Sequence, residues 1–172
     1  GSAQSVSLRS RVFEVQSTCG PAHTAPGARL SLDVWRRAAA LCTFSAMADL
    51  LQVIQERRSF RGLKEDALPD DVLERIMTAA TYAPSCSNNQ PWRYLVIKGG
   101  NALERARGHL AGGNYWARKA PVLILVITRN DLDCQIGSRE YADFDTGMSA
   151  MSLQLQAWHE GCYAHPMAGF KA

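Results

Sequence analysis

The feature that most constrains the fold is Pro121-Val-Leu-Ile-Leu-Val-Ile-Thr128, an apolar run with no alternation. A strand that shows one face to water alternates apolar and polar residues at period two; a run that does not must be covered on both faces. The longest apolar stretch, residues 120–127, falls far short of a membrane span. The run therefore predicts a central strand in a layered fold, with helices supplying both covers.

The rest of the chain offers those helices. Leu50, Val53 and Ile54 give an i, i+3, i+4 face over residues 49–58, and a helix there ends at Arg57 and Arg58. Pro69 and the pair Asp71 and Glu74 open a second helix as a capping box, with Val72, Ile76 and Ala79 or Ala80 inward; it stops before Pro84. Residues 94–97 read as a strand closed by Gly99-Gly100, and residues 101–111 as a short helix. Residues 129–139 form a loop or lid. The last long helix spans residues 141–160, with Phe144, Met148, Met151, Leu155 and Trp158 on one stripe and Ala150, Leu153 and Ala157 nearly opposite. A helix apolar on two sides needs two partners, core on one side and either further core or a subunit interface on the other. The order helix, helix, strand, helix, strand, helix defines an α+β class.

At 172 residues the chain makes one domain, and 47% hydrophobic with 20% charged residues is ordinary for a globular protein. The net charge of +3 lies entirely in residues 1–46; beyond them fourteen basic and fourteen acidic side chains cancel. Such a balance excludes nucleic-acid binding by phosphate contacts. Cys19, Cys42, Cys86, Cys134 and Cys162 are odd in number and show no C-x-x-C pair, which predicts reduced thiols and a cytoplasmic setting. Their spacing to His23, His109, His159 and His165 predicts no metal. No Ser-His-Asp or Cys-His set stands out, so no catalytic side chain is assigned.

Gly1-Ser2 reads as a tag remnant, and residues 3–46 as an extension outside the domain proper, which begins at 47. Arg- and Ser-rich and poor in acids, the extension fits an organelle transit peptide as well as non-native sequence ahead of a start at Met47. Within it residues 11–16 alternate weakly as a strand, and Ser31 or Asp33 caps a helix through Trp35, Leu41 and Phe44.

Two motifs carry chemistry. Arg57-Arg58-Ser59-Phe60-Arg61 offers planar guanidinium forks and a hydroxyl, a set suited to phosphate oxygens. Ala83-Pro84-Ser85-Cys86-Ser87-Asn88-Asn89-Gln90-Pro91-Trp92 sets neutral hydrogen-bonding side chains between two prolines, which suits the edge of a flat heterocycle. Taken singly, the first reads as a solvated helix end and the second as a polar turn.

Together, and in this order, they resemble the FMN-binding signature of the nitroreductase family. The pattern Arg-Arg-Ser-x-Arg matches Arg57, Arg58, Ser59 and Arg61; Ala-Pro-Ser-x-x-Asn-x-Gln-Pro-Trp matches Ala83, Pro84, Ser85, Asn88, Gln90, Pro91 and Trp92. Asp145 and Gly147 resemble the family's Asp-x-Gly, and residues 165–170 its segment beside the flavin. The resemblance covers about residues 47–170. It implies a mostly antiparallel central sheet flanked by helices, in a homodimer with two flavins at the interface, each touched by both chains. It implies that Arg57, Arg58 and Ser59 hold the FMN phosphate and ribityl, that Arg61 and Asn88 meet the ring edge with Pro84, Ser85 and Gln90 around it, and that Pro166, Ala168 and Gly169 line the other side. The activity implied is hydride transfer from NADH or NADPH through FMN to a small acceptor, a nitroaromatic, quinone or similar. Two departures stand against it. The chain ends at Ala172, before the family's last strand and C-terminal arm, and Ala168 stands where some members are acidic. The alternative expectation is a flavin-binding or inactive structural remnant of the fold. The extension, with Arg9 and Arg11, is expected to replace part of the missing arm.

Overall fold

The protein is described by a computed structural model covering residues 9–17 and 50–171. Its elements are β1 (Arg9–Ser17), α1 (Gln52–Glu56), α2 (Asp70–Thr81), β2 (Arg93–Lys98), α3 (Gly100–Gly108), β3 (Val122–Thr128), β4 (Gln135–Ile136), β5 (Arg139–Glu140), α4 (Ala142–His159) and β6 (Cys162–Met167). The helix expected around Trp35 and Phe44 lies outside the described residues.

The main sheet has the order β2-β3-β1-β6, and its pairings are antiparallel. The apolar run is β3, an inner strand as its sequence requires. Val122, Ile124 and Val126 join Leu68, Ile76, Ala80 and Leu153 on the face covered by α2 and α4. Leu123 points the other way, towards Leu63, Leu103, Trp116 and Met167. Alternate residues of one strand thus feed two cores, which is why residues 122–127 are all apolar.

β1 extends the strand expected over residues 11–16 and enters the sheet between β3 and β6. Its Val12 stands opposite both Leu125 and Met167. β6 is not among the expected elements: residues 165–170 carry only the resemblance to the segment beside the flavin. Pro166 is exposed on an edge strand, where its missing N–H costs no ladder bond. The lid at residues 129–140 holds a short 3-10 turn and the hairpin β4–β5, which reverses at Gly137 with φ of 63°.

Two helix expectations need correction. α2 starts at Asp70, with Pro69 in the capping position and no side-chain cap bond. The capping box fails because Asp71 lies inside the helix and turns to Arg75 at 3.0 Å. α1 is shorter than residues 49–58 and buries nothing; Leu50, Leu51 and Ile54 are exposed, because among the described residues no layer lies over them.

α4 joins the layers. Ser149 Oγ donates to Ala80 O at 2.7 Å and meets the hydroxyl of half-buried Tyr94 at 2.6 Å, so that fully buried Ser149 links α4 to α2 and β2. Burial raises the Tyr94 pKa, against the opposing Ser149 bond, so the phenol stays neutral. Ser149→Ala strands both partners and is expected to cost about 1–3 kcal/mol of unfolding free energy, read by urea titration.

At the helix end, Arg75 donates to both oxygens of Glu160, at 2.9 and 2.8 Å. That bond is the main reason the Glu160 pKa is lowered, with burial opposing it. A lowered carboxylate stabilises the fold above its unfolded pKa and loses that contribution as pH falls through the folded value. Arg75→Ala is therefore expected to lower the urea midpoint at neutral pH. In acid below the folded pKa its urea midpoint should match that of the parent.

Candidate functional site

Residues 57–61 leave α1 and cross two elements. Arg57 donates through Nη1 to Gln154 Oε1 of α4 and to Ser59 Oγ, both at 3.4 Å, and Arg58 donates to Arg57 O. Phe60 packs edge-on against Tyr163 with centroids 4.7 Å apart, and its carbonyl meets His165 Nδ1 at 3.2 Å. Arg61 lies 5.5 Å from the centroid of Trp116, whose ring is 4.3 Å from that of His165. His165 is thus hydrogen-bonded to the main chain of the arginine segment. Among the described residues none of Arg57, Arg58 and Arg61 has a carboxylate partner, whereas Arg75, Arg107 and Arg129 are all paired. Three uncompensated guanidiniums within five residues are the donor chemistry of an anion site.

Residues 84–92 form a strained turn. Ser87, Asn88 and Gln90 have φ of 50°, 57° and 50°, a region L-residues enter at a cost of roughly 1–2 kcal/mol each. The turn is held by Asn88 N to Ser85 O at 3.0 Å, Gln90 N to Ser85 Oγ at 2.9 Å and Gln90 Nε2 to Asn88 Oδ1 at 3.2 Å. Buried Pro91 and Trp92 anchor its far end, while Pro84 is exposed. Among the described residues Asn88 Nδ2 and Gln90 Oε1 make no hydrogen bond. The turn spends its inner groups on its own shape and leaves one donor and one acceptor facing out.

Cys86 belongs to this turn, and here the expectation of reduced thiols is overturned. Cys86 and Cys134 form a disulfide, with Cα atoms 5.9 Å apart. The bond escaped notice because 48 residues separate the pair in sequence, and only folding of the lid onto the turn joins them. The argument for a cytoplasmic setting from unpaired cysteines falls with it. Cys86 N also donates to Asp145 Oδ2 at 2.6 Å. Burial pushes the Asp145 carboxyl above the ordinary carboxylate range, with the Cys86 N–H pulling it down and neighbouring Asp133 pushing it further up. Asp145, offered by the resemblance as part of Asp-x-Gly, thus anchors the turn to the first turn of α4.

The third set sits at the end of β6 and just beyond it. Gly169 O accepts Asn114 Nδ2 at 2.7 Å and Ala111 N at 3.0 Å, and a Cβ on Gly169 would come within 2.7 Å of Asn114 Nδ2. Pro166 and Ala168 are exposed beside it.

The structure joins the first and third sets through the stack Arg61, Trp116, His165. It does not join either to the turn: among the described residues no hydrogen bond links residues 57–61 to 84–92. Both meet α4, one at Gln154 and the other at Asp145. Nine residues of helix set these contacts about 13 Å apart along the axis and on opposite edges of the buried face. A surface concavity between α2 and α4, lined by Asp71, Glu74, Arg75, Thr78, Tyr82 and Gln156, holds none of the expected site residues. Sequence reasoning missed Trp116, Asn114 and Gln154, which position the site; none has a motif around it.

The architecture is that of a nitroreductase-type α+β protein, and comparison with known proteins agrees. The model of the nitroreductase family matches residues 54–114. A protein of Methanothermobacter thermautotrophicus, provisionally named NADH dehydrogenase/NAD(P)H nitroreductase, is 30% identical over 125 residues, 67% of this chain and 62% of that one. A crystal structure described as an oxidoreductase containing FMN superposes with a TM-score of 0.64 at 31% identity, covering 73% of this chain and 66% of the other. A nitroreductase structure from Desulfovibrio desulfuricans, described as a complex with FMN, has a TM-score of 0.53 at 31% identity, over 63% and 60% of the two chains. Over residues 54–114 the chain carries a nitroreductase-family domain. It spans about a third to just under two thirds of the length of the first curated relatives it matches. No described helix is long and apolar enough to cross a membrane.

Proposed function

We propose that the chain is the flavin-binding domain of an FMN-dependent NAD(P)H oxidoreductase that acts as a homodimer on a nitroaromatic, quinone or similar acceptor. The observation that carries this reading is that one chain holds three arginines with no carboxylate partner among the described residues and, apart from them, a neutral turn whose Asn88 and Gln90 amides keep an unbonded donor and acceptor. The relatives named for NAD(P)H or described with FMN support it. Arg57, Arg58 and Ser59 would hold the phosphate and ribityl. Asn88, Ser85, Gln90 and Pro84 would meet the ring edge, Arg61 would present its charge from the Trp116 face, and Pro166, Ala168 and Gly169 would line the opposite side. Bound FMN supplies the two-electron chemistry between nicotinamide and acceptor. The chain's own residues bind and orient it, and the fixed charge of Arg61 favours its reduced, anionic form.

The separation of the two motifs supports a site shared between chains, the arginines of one copy facing the turn of the other. The open side of α4 supports the same arrangement: Phe144 is 66% and Met151 43% exposed, and Leu50 and Ile54 of the α1 region are exposed as well. Met151→Glu with Phe144→Glu is expected to convert a dimer to monomer in light-scattering chromatography, with the helical circular dichroism kept. Purified protein loaded with FMN is expected to be yellow and to consume NAD(P)H with a quinone or nitroaromatic. Yellow protein without turnover would favour a flavin binder, and protein that cannot be loaded would favour a structural remnant.

A further inference from the structure

The junction of the turn with the lid gathers sulfur and carboxylate together. Asp133 adjoins Cys134; its Oδ1 accepts Cys134 N at 2.8 Å and Asn89 Nδ2 at 3.3 Å, while its Oδ2 is shielded from solvent and has no hydrogen-bond donor. Asp145, 2% exposed, lies against Asp133 and takes the Cys86 amide. Among the described residues no lysine or arginine is paired with either acid. The sulfurs of Cys86 and Cys134 and a carboxylate oxygen of Asp133 all lie within 4.8 Å of one another. Donors around a tetrahedral zinc, with bonds of about 2.0–2.3 Å, stand roughly 3.3–3.8 Å apart, so a small side-chain rotation suffices once the sulfurs separate.

We propose that the reduced Cys86–Cys134 pair, completed by Asp133, binds one zinc-type divalent cation, so that the same junction is closed by the disulfide when oxidised and by metal when reduced. Two thiolates select a thiophilic ion over magnesium or calcium. The orphaned Asp133 oxygen gains the partner it lacks, and a water completes four-coordination. The exchange balances. A dithiol reductant gives two electrons and two protons to the sulfurs as the Sγ–Sγ bond breaks, and leaves as its own disulfide. Metal entry then releases both thiol protons to solvent. The proposal does not depend on flavin binding.

The test uses the full chain without flavin and Co2+ as the spectroscopic probe. Reduction should add two titratable thiols per chain. The reduced protein should then bind one Co2+ with thiolate-to-cobalt absorption in the near ultraviolet, displaced by Zn2+, while the oxidised protein binds none. Asp133→Ala keeps both sulfurs and should weaken Co2+ by roughly tenfold or more; Cys134→Ser should abolish the absorption. Reduced protein with both thiols free and no stoichiometric cobalt would overturn the proposal. So would cobalt binding of undiminished affinity in Asp133→Ala.

Discussion

Breaking the Cys86–Cys134 bond is expected to lower the unfolding free energy by about 4 kcal/mol, the loop-entropy value for a closed loop of 48 residues. The loss is large against the 5–15 kcal/mol typical of a domain. The crosslink restrains mainly the unfolded chain, so its removal should lower the urea midpoint and raise the slope as the denatured state expands. Locally, the disulfide joins the strained turn at residues 84–92 to the lid at 129–140, and three left-handed non-glycine residues need such restraint. Cys134→Ser should show the loss without reductant and be insensitive to its addition. The measurement is made with a chelator present, so that no metal replaces the bond. Identical unfolding curves for oxidised and reduced protein would show that the bond does not stabilise the fold.

The second large effect concerns the arginines. Replacing Arg57 and Arg58 together by alanine is expected to weaken FMN binding by two orders of magnitude or more, since each charge-assisted bond contributes about 1.5–3 kcal/mol. The change should be far smaller for riboflavin, which lacks the phosphate, and that contrast separates loss of the anion grip from general damage. Arg58 is exposed and Arg57 half-buried, so the double variant should keep its unfolding midpoint within the loss of the Arg57–Gln154 contact. Equal loss for both ligands in titration would contradict a phosphate role for these residues.

How much of this was legible in the sequence depended on whether the signal was local. The unbroken apolar run of β3 placed the sheet's interior, and the two stripes of α4 separated its buried from its open side; both are periodicities within one element. The arginine run and the neutral turn could be picked out as candidates because each is contiguous. What failed was long-range or fell on short elements. Cys86 and Cys134 meet only because the lid folds back. β6 is short and lies at a sheet edge, so its six residues carry no strong pattern of their own. The capping box at Asp71 and Glu74 matched a pattern, but Pro69 had already fixed the start of the helix. Asn114 and Gln154 carry no signal in sequence, because their role comes from where Gly169 and Arg57 happen to lie.

The central claim is that the arginines and the turn hold one flavin between two copies of this chain. It is tested most directly by titrating the protein with FMN, following the visible spectrum and the quenching of flavin fluorescence, and then passing the mixture through a sizing column. The account predicts one FMN per chain eluting with a dimer, and loss of the bound flavin in the Arg57, Arg58 double variant. Free flavin eluting apart from the protein, or flavin carried equally well by a monomer, would contradict it.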